Sequence, residues 1–230
     1  MMDVLRIFKK IFFILLVSHL AYVVLLRFMN APITITQIAS VISGDGFHRT
    51  HVSMHQLSKN AKLAVIASED QLFPDHNGFD IKSIQKALNF NKKKKGKKIR
   101  GASTISQQVA KNIFLWQGRS WIRKGLEVYF TFLIELVWGK ERILEMYLNE
   151  AEMGKGIFGI EAASRKYFQK SASKLTRAEA AMIASSLPNP KRYTVKPIST
   201  YVARKYPWVI RQMNNLEDDP DIVRLVNSHP

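Results

Sequence analysis

The chain has 230 residues, 47% of them hydrophobic and 23% charged, a globular composition long enough for one anchor plus one domain with a sizeable core. Its formal net charge of +17 calls for a polyanionic partner: nucleic acid, an anionic membrane surface or a phosphorylated substrate. The absence of cysteine excludes disulfides and thiolate chemistry and leaves only His and carboxylate ligands for any metal.

Ile11 to Leu26 is apolar apart from Ser18 and His19. With its apolar flanks it can cover a hydrocarbon core, which takes roughly 20 residues. Arg6, Lys9 and Lys10 precede it and Arg27 alone follows closely, so the positive-inside rule puts the N-terminus in the cytoplasm and the main domain outside. A cleaved signal peptide is the rival, but Leu25, Leu26, Arg27, Phe28 and Met29 offer no small-residue cleavage site. Residues 1–30 are thus expected to be the cytoplasmic N-terminus and transmembrane anchor. Residues 31–57 lack helical periodicity and read as a linker with short strands. Residues 58–230 read as the catalytic domain.

Ser58 can cap a helix carrying Leu63, Ile66 and Ala67, and Asp80 another carrying Ile81, Ile84 and Leu88. The basic run Lys92 to Lys95, Lys97, Lys98 and Arg100 reads as a solvated loop able to touch anionic head groups or substrate phosphates. Ser103 to Asn112 reads as a helix with Ile105, Val109 and Ile113 on one face. Leu126 to Trp138 is apolar nearly all round, either a core helix or a surface dipping into the membrane. Lys140 to Asn149 is another helix, Gly154, Gly156 and Gly159 mark a loop, and Thr176 with Glu179 forms a capping box ahead of an Ala-rich helix. Strand signals beyond residue 60 are scarce, so the domain is expected to be mainly α. The tail from Thr200 is polar, partly helical and without an assignable motif.

Two segments carry chemistry. Glu69 and Asp70 end an apolar helix, where the dipole and partial burial both disfavour a carboxylate's charge, as suits a general base. The alternative is a pair of solvated surface charges. The face Ser103, Thr104, Gln107, Gln108, Lys111 and Asn112 holds hydroxyls, amides and a cation with no acid, a surface for phosphate or sugar hydroxyls. Arg119, Arg123 and Lys124 follow before Glu127, which sits alone in an apolar stretch and is one turn from Arg123 or Lys124, so a structural salt bridge is an equally open reading. His51 and His55 have helix-type metal spacing and His48 is near, but no strong acid stands beside them, and no metal site is assigned.

Five segments, EDQLFPDHNGFD, GASTISQQVAKNIFL, RKGLE, KERILEMYLNEAEMGKGIFGIEAASRKYF and LTRAEAAMIASSLPNP, resemble the five ordered motifs of the peptidoglycan glycosyltransferases. The order matches from Glu69 to Pro190, and the short chain with one anchor resembles the monofunctional branch of that family. Ser106 departs mildly, standing where the family commonly has Thr. The resemblance implies a mainly α, lysozyme-like glycosyltransferase domain with a small membrane-apposed lobe around Asn112 to Leu136, preceded by one transmembrane helix. It implies lipid II as substrate, polymerised with inversion into a β-1,4 glycan, with Glu69 as the base on the acceptor 4-hydroxyl and Glu127 as the second acid. It implies Ser103, Thr104, Gln107, Gln108, Lys111 and Asn112 at the donor site, and Arg119, Arg123 and Lys124 on the pyrophosphate. The nascent glycan strand, the inner membrane and cell-wall synthesis or division proteins are the implied partners. No cofactor is required, although a divalent cation (Mg or Mn) could share the phosphate load.

A lysozyme-like hydrolase needs a protonated acid and gains little from a basic cluster. Ser83-Ile84-Gln85-Lys86 and Ser171-Ala172-Ser173-Lys174 match S-x-x-K, but no K-T-G accompanies them and too little chain follows Pro190 for a transpeptidase domain. A nucleic-acid binder fits the charge but not an outward orientation, so no nucleic acid is expected.

Overall fold

A computed structural model of the chain describes residues 2–93, 101–118 and 120–227. The basic run from Lys94 to Arg100 and the expected pyrophosphate ligand Arg119 lie outside the described residues. The architecture is mainly α, with a small sheet at one side.

α1 (Met2–Leu25) contains the apolar span Leu5–Leu25, mean hydropathy 1.9, whose side chains are almost all unburied. Its C-terminal end is an exception. Val23 and Leu26 are buried, Tyr22 meets Phe114 edge-on, and the Trp138 indole donates to the Val23 carbonyl at 2.7 Å. His19 Nδ1 lies 3.1 Å from the Leu15 carbonyl oxygen. A helix carbonyl can only accept, so Nδ1 carries a proton and donates, while Nε2 lies 2.6 Å from the Tyr129 hydroxyl.

The stretch 31–57 is not a plain linker. It holds α2 (Ile35–Ile42), begun by a reciprocal Thr34–Gln37 capping box, and then β1 (His48–Arg49). The helix escaped a periodicity reading because it is inverted: Thr36, Gln37 and Ser40 are buried while Ile35, Ile38 and Ile42 are exposed. Gln37 bonds the buried Glu150 carboxylate at 2.7 Å, and Arg49 pairs with the same carboxylate at 3.0 Å.

α3 (Lys59–Glu69), capped by Ser58 as expected, is buried from Ala61 to Ala67. It packs against α9 (Arg177–Ser186), α10 (Thr200–Leu216) and α11 (Pro220–Asn227). α9 begins with the expected Thr176–Glu179 capping box. A second layer is α5 (Ile105–Phe114) against α6 (Trp121–Val137) and α7 (Lys140–Glu150). α4 (Ile81–Lys93) is started by Asp80, whose carboxylate accepts from Ser83 N at 2.8 Å.

The glycine-rich stretch is more ordered than a loop. β2 (Glu152–Gly154) pairs antiparallel with β3 (Ile157–Phe158), and β1 pairs parallel on the other side of β3. Gly159, at φ +83°, starts α8 (Ile160–Phe168) where a Cβ would sit 2.6 Å from the Asn149 carbonyl oxygen.

α6 bears on the reading left open for the apolar span. Arg123, Glu127, Thr131 and Ile134 point inward, whereas Trp121 (92% exposed), Ile122, Phe132 and Leu136 point outward. A helix with charge inside and large apolar side chains outside is the reverse of one facing water and fits one facing lipid. α2 shares the pattern.

Candidate active site

Glu69 is the last residue of α3, and its neighbour Asp70 leaves the helix with φ −159°. That turn separates two adjacent carboxylates. Asp70 is buried and fully engaged: it takes His76 Nε2 at 3.0 Å and the Ile105 backbone N–H at 3.0 Å, the latter an orphan donor at the start of α5. His76 Nδ1 accepts from Gly78 N at 3.1 Å, so Nε2 carries the proton donated to Asp70. Thr104 Oγ1 donates to Gly78 O at 2.7 Å and Lys140 binds both the His76 carbonyl and Glu135. Gly78 sits at φ +84°, and a Cβ there would lie 2.6 Å from Thr131 Cγ2. The loop from Gln71 to Phe79 is thereby fixed, and Asp70 is its keystone.

Glu69 is left for chemistry. Gln108 Nε2, from α5, donates to its Oε2 at 2.9 Å. The fully buried Tyr147 of α7 donates its hydroxyl to Gln108 Oε1 at 3.2 Å, which dictates that the amide NH2 faces Glu69. Ser68 Oγ lies 3.3 Å from Oε1 and 3.1 Å from the Ala184 carbonyl. Burial raises the Glu69 pKa above the ordinary carboxylate value, and the Gln108 and Ser68 bonds and the Lys205 charge only partly offset this.

A cation cluster stands around Glu127 on α5 and α6, and Lys111 links it to Glu69. Glu127, 3% exposed, accepts Arg123 Nη1 at 2.7 Å on one oxygen and Lys124 Nζ on the other. The salt-bridge reading of Glu127 therefore holds in geometry: its carboxylate is saturated and orders two cations. Among the described residues, Arg123 Nε is buried without a hydrogen-bond partner. Lys111 is half-buried and within electrostatic reach of Glu127 and Glu69; burial lowers its pKa, opposed by those carboxylates and assisted by Arg123 and Lys124. Thus Lys111, Arg123 and Lys124 gather around Glu127, and Lys111 also comes within electrostatic reach of Glu69.

The other expected ligands divide. Gln108 touches Glu69 directly. Thr104 and Gln107 are buried and bound to each other as the capping box of α5, with Gln107 N 3.2 Å from Thr104 Oγ1 and Thr104 N 3.1 Å from Gln107 Oε1. Their side chains chiefly set the helix start. Ser103 is exposed, and with Gln107 and Lys124 it lines a cavity below α4. Asn112 is half-buried on α5. Lys205 of α10 was missed in the sequence. It is half-buried, its pKa is lowered by burial and sustained by the Glu69 charge, and its ammonium lies 3.5 Å from the Trp208 ring centroid. No motif in the tail announces it; only the packing of α10 on α3 brings it near Glu69.

Among the described residues no group of three or more His, Asp or Glu side chains is arranged to hold a metal ion. His51 instead lies 3.2 Å from the buried Glu150, and burial with the nearby Arg49 and Arg142 lowers its pKa to about 4.

The family model described as Transglycosylase matches residues 35–214. The chain is 58% identical over 173 residues to the biosynthetic peptidoglycan transglycosylase of Shigella boydii serotype 4 (strain Sb227), covering 75% of this chain and 71% of that protein. The same identity and coverage relate it to the biosynthetic peptidoglycan transglycosylases of Escherichia coli O157:H7 and of E. coli K12 / DH10B.

Proposed function

The chain belongs to the transglycosylase family and is a glycosyltransferase of peptidoglycan synthesis, and from that premise we propose that it polymerises lipid II at the outer face of the inner membrane. Glu69 takes the proton of the acceptor sugar's 4-hydroxyl. That oxygen attacks C1 of the donor, the bond from C1 to the pyrophosphate oxygen breaks, and its electron pair leaves on undecaprenyl pyrophosphate. One displacement on an α-linked donor gives the β-1,4 product with inversion.

The observation that carries this reading is the contrast between the two acids. Glu69 is desolvated and accepts only neutral donors, so it is poised to take a proton. Glu127 is held by two cations and cannot serve as a protonated acid without losing them. A glycosidic oxygen needs an acid when it leaves, whereas a pyrophosphate needs its charge neutralised. Lys111, Arg123 and Lys124 supply that charge, with Glu127 orienting the last two. A bound Mg or Mn ion could add to it at the phosphates, held there by the substrate.

The charge asymmetry of α1, with Arg6, Lys9 and Lys10 before the span and Arg27 after it, supports an N-terminus inside and the domain outside. The outward apolar faces of α2 and α6 support a domain seated on the bilayer. Incubation of the purified full chain with lipid II and, separately, with finished glycan tests the reading on a product gel. Polymer from lipid II is expected; fragments from finished glycan with no polymer would replace it by hydrolysis.

A further inference from the structure

A cavity of about 310 Å3 opens between the end of α1 and the start of α7, lined by Arg27, Phe28, Met54, Trp138, Glu141 and neighbouring side chains. None of its lining residues belongs to the surroundings of Glu69. Arg27 and Phe28 stand two and three residues beyond the apolar span Leu5–Leu25. At ~1.5 Å per helical residue that is roughly 3–5 Å past the hydrocarbon, the depth of phospholipid head groups. Trp138 is fixed to the Val23 carbonyl, one turn deeper, as suits an indole at the interface.

The charges in this cavity are not equally occupied. The Arg142 guanidinium is spent on Leu26 O at 3.0 Å, Met29 O at 2.5 Å and the Glu145 carboxylate at 2.7 Å. Glu145 also accepts Met54 N at 3.2 Å. Arg27 is exposed and, among the described residues, makes one hydrogen bond, to Val137 O at 2.6 Å, leaving most of its donors available. Glu141 is exposed and, among the described residues, makes no hydrogen bond or ion pair. One available cation and one available carboxylate beside an aromatic wall match a zwitterion.

We propose that this cavity binds the head group of an aminophospholipid carrying a primary ammonium, with its phosphate on Arg27 and its ammonium on Glu141. An anionic head group without an amine leaves Glu141 unmatched beside a phosphate. A choline head group has no N–H to donate. The cavity thus selects among lipids by hydrogen bonding, and it seats the domain on the outer leaflet independently of substrate. The inference rests on α1 spanning the bilayer.

The test uses the full chain in nanodiscs with spin-labelled phosphatidylethanolamine, phosphatidylcholine and phosphatidylglycerol tracers, reading the immobilised fraction of each. Phosphatidylethanolamine is expected to be retained about two- to fivefold over phosphatidylcholine, the scale of a part-exposed ion pair. Glu141→Gln is expected to erase that preference while polymerisation in detergent stays unchanged. Arg27→Gln lowers retention of both zwitterionic lipids. Equal retention by the native chain, a preference surviving Glu141→Gln, or phosphatidylglycerol retained best would overturn the assignment. Full displacement of the tracer by equimolar O-phosphoethanolamine would also overturn it, by showing a site for the soluble group alone. A chain that fails to float with vesicles removes the anchor and this site together, whereas flotation without selectivity removes the site only.

Discussion

Glu69→Gln replaces one carboxylate oxygen by an amide NH2 at constant volume. The Gln108 Nε2–H that reaches Oε2 at 2.9 Å can donate to the new carbonyl instead. The new NH2 then faces Ser68 Oγ, which can accept while giving its own proton to Ala184 O at 3.1 Å. No buried polar group loses its partner, so the fold persists. A general base contributes about 10²–10⁴ in rate, or ~3–5.5 kcal/mol of barrier. Stability should move the other way. Burial raises the Glu69 pKa, so the folded state holds that proton more tightly than the unfolded chain, and stability falls as pH rises from the ordinary carboxylate pKa through the folded one. Above the folded pKa the ionised carboxylate costs the native state its full penalty, and the amide removes it. A gain in melting temperature is expected at pH 7 and should vanish in acid, where Glu69 is protonated in both states. Labelled lipid II on a product gel reads the first effect and thermal melting the second. Polymerisation within tenfold of the native chain would refute the base assignment. Inactivity with a large drop in melting temperature would show a folding defect instead.

Four further outcomes are expected. Activity should be bell-shaped in pH, falling in acid as the raised Glu69 carboxyl protonates and in alkali as the lowered Lys111 ammonium deprotonates; Lys111→Arg should push the alkaline limb upward, and an unmoved limb would exclude Lys111 as its cause. Glu127→Gln unpairs Arg123 and Lys124 and should cost about 2–4 kcal/mol in denaturant unfolding, with a large loss of polymerisation smaller than that of Glu69→Gln; native behaviour in both assays would make the pairing incidental. Tyr147→Phe frees Gln108 Oε1, so a loss of about 1 kcal/mol in stability and a several-fold fall in kcat with little change in KM is expected. Gly78→Ala adds a Cβ 2.6 Å from Thr131 Cγ2 at positive φ and should destabilise by more than ~1 kcal/mol, measured by melting; a neutral result would mean that the loop yields.

The sequence was most readable where local rules govern alone. Ser58, Asp80 and Thr176 cap the helices they were expected to cap, because a hydroxyl or carboxylate before an apolar run meets orphan N–H groups whatever lies beyond. The expected start of α5 at Ser103 was two residues early because Thr104, not Ser103, takes the cap. α2 was invisible because the usual apolar-inside pattern is reversed there. Its signal, Thr34 three residues before Gln37, was present but stood outside any core-facing stripe. The division of labour between Glu69 and Asp70 was not legible at all. It depends on the φ of one residue and on Ile105, 35 positions away. Lys205 is likewise placed only by tertiary packing.

On the proposed function, the inversion of α6 bears directly on how a lipid-linked donor would reach the cations. One face of this helix holds Arg123 and Glu127, and the opposite face shows Trp121, Ile122 and Phe132 to the surroundings. A helix with its side chains is about 10–12 Å across. If the outer face rests on the acyl boundary, the inner face stands at roughly head-group depth. A pyrophosphate still attached to its membrane-embedded tail then arrives level with Arg123, Lys124 and Lys111 without the tail leaving the bilayer. The clasp between α1 and α6, His19 to Tyr129 at 2.6 Å and Arg27 to the Val137 carbonyl at 2.6 Å, holds that depth. Extracting a polyprenyl chain would cost about 0.8 kcal/mol for every CH2 brought into water, far more than three phosphate-binding cations return. On the proposed function, the apolar outside of α6 takes part in donor recognition together with the charges within.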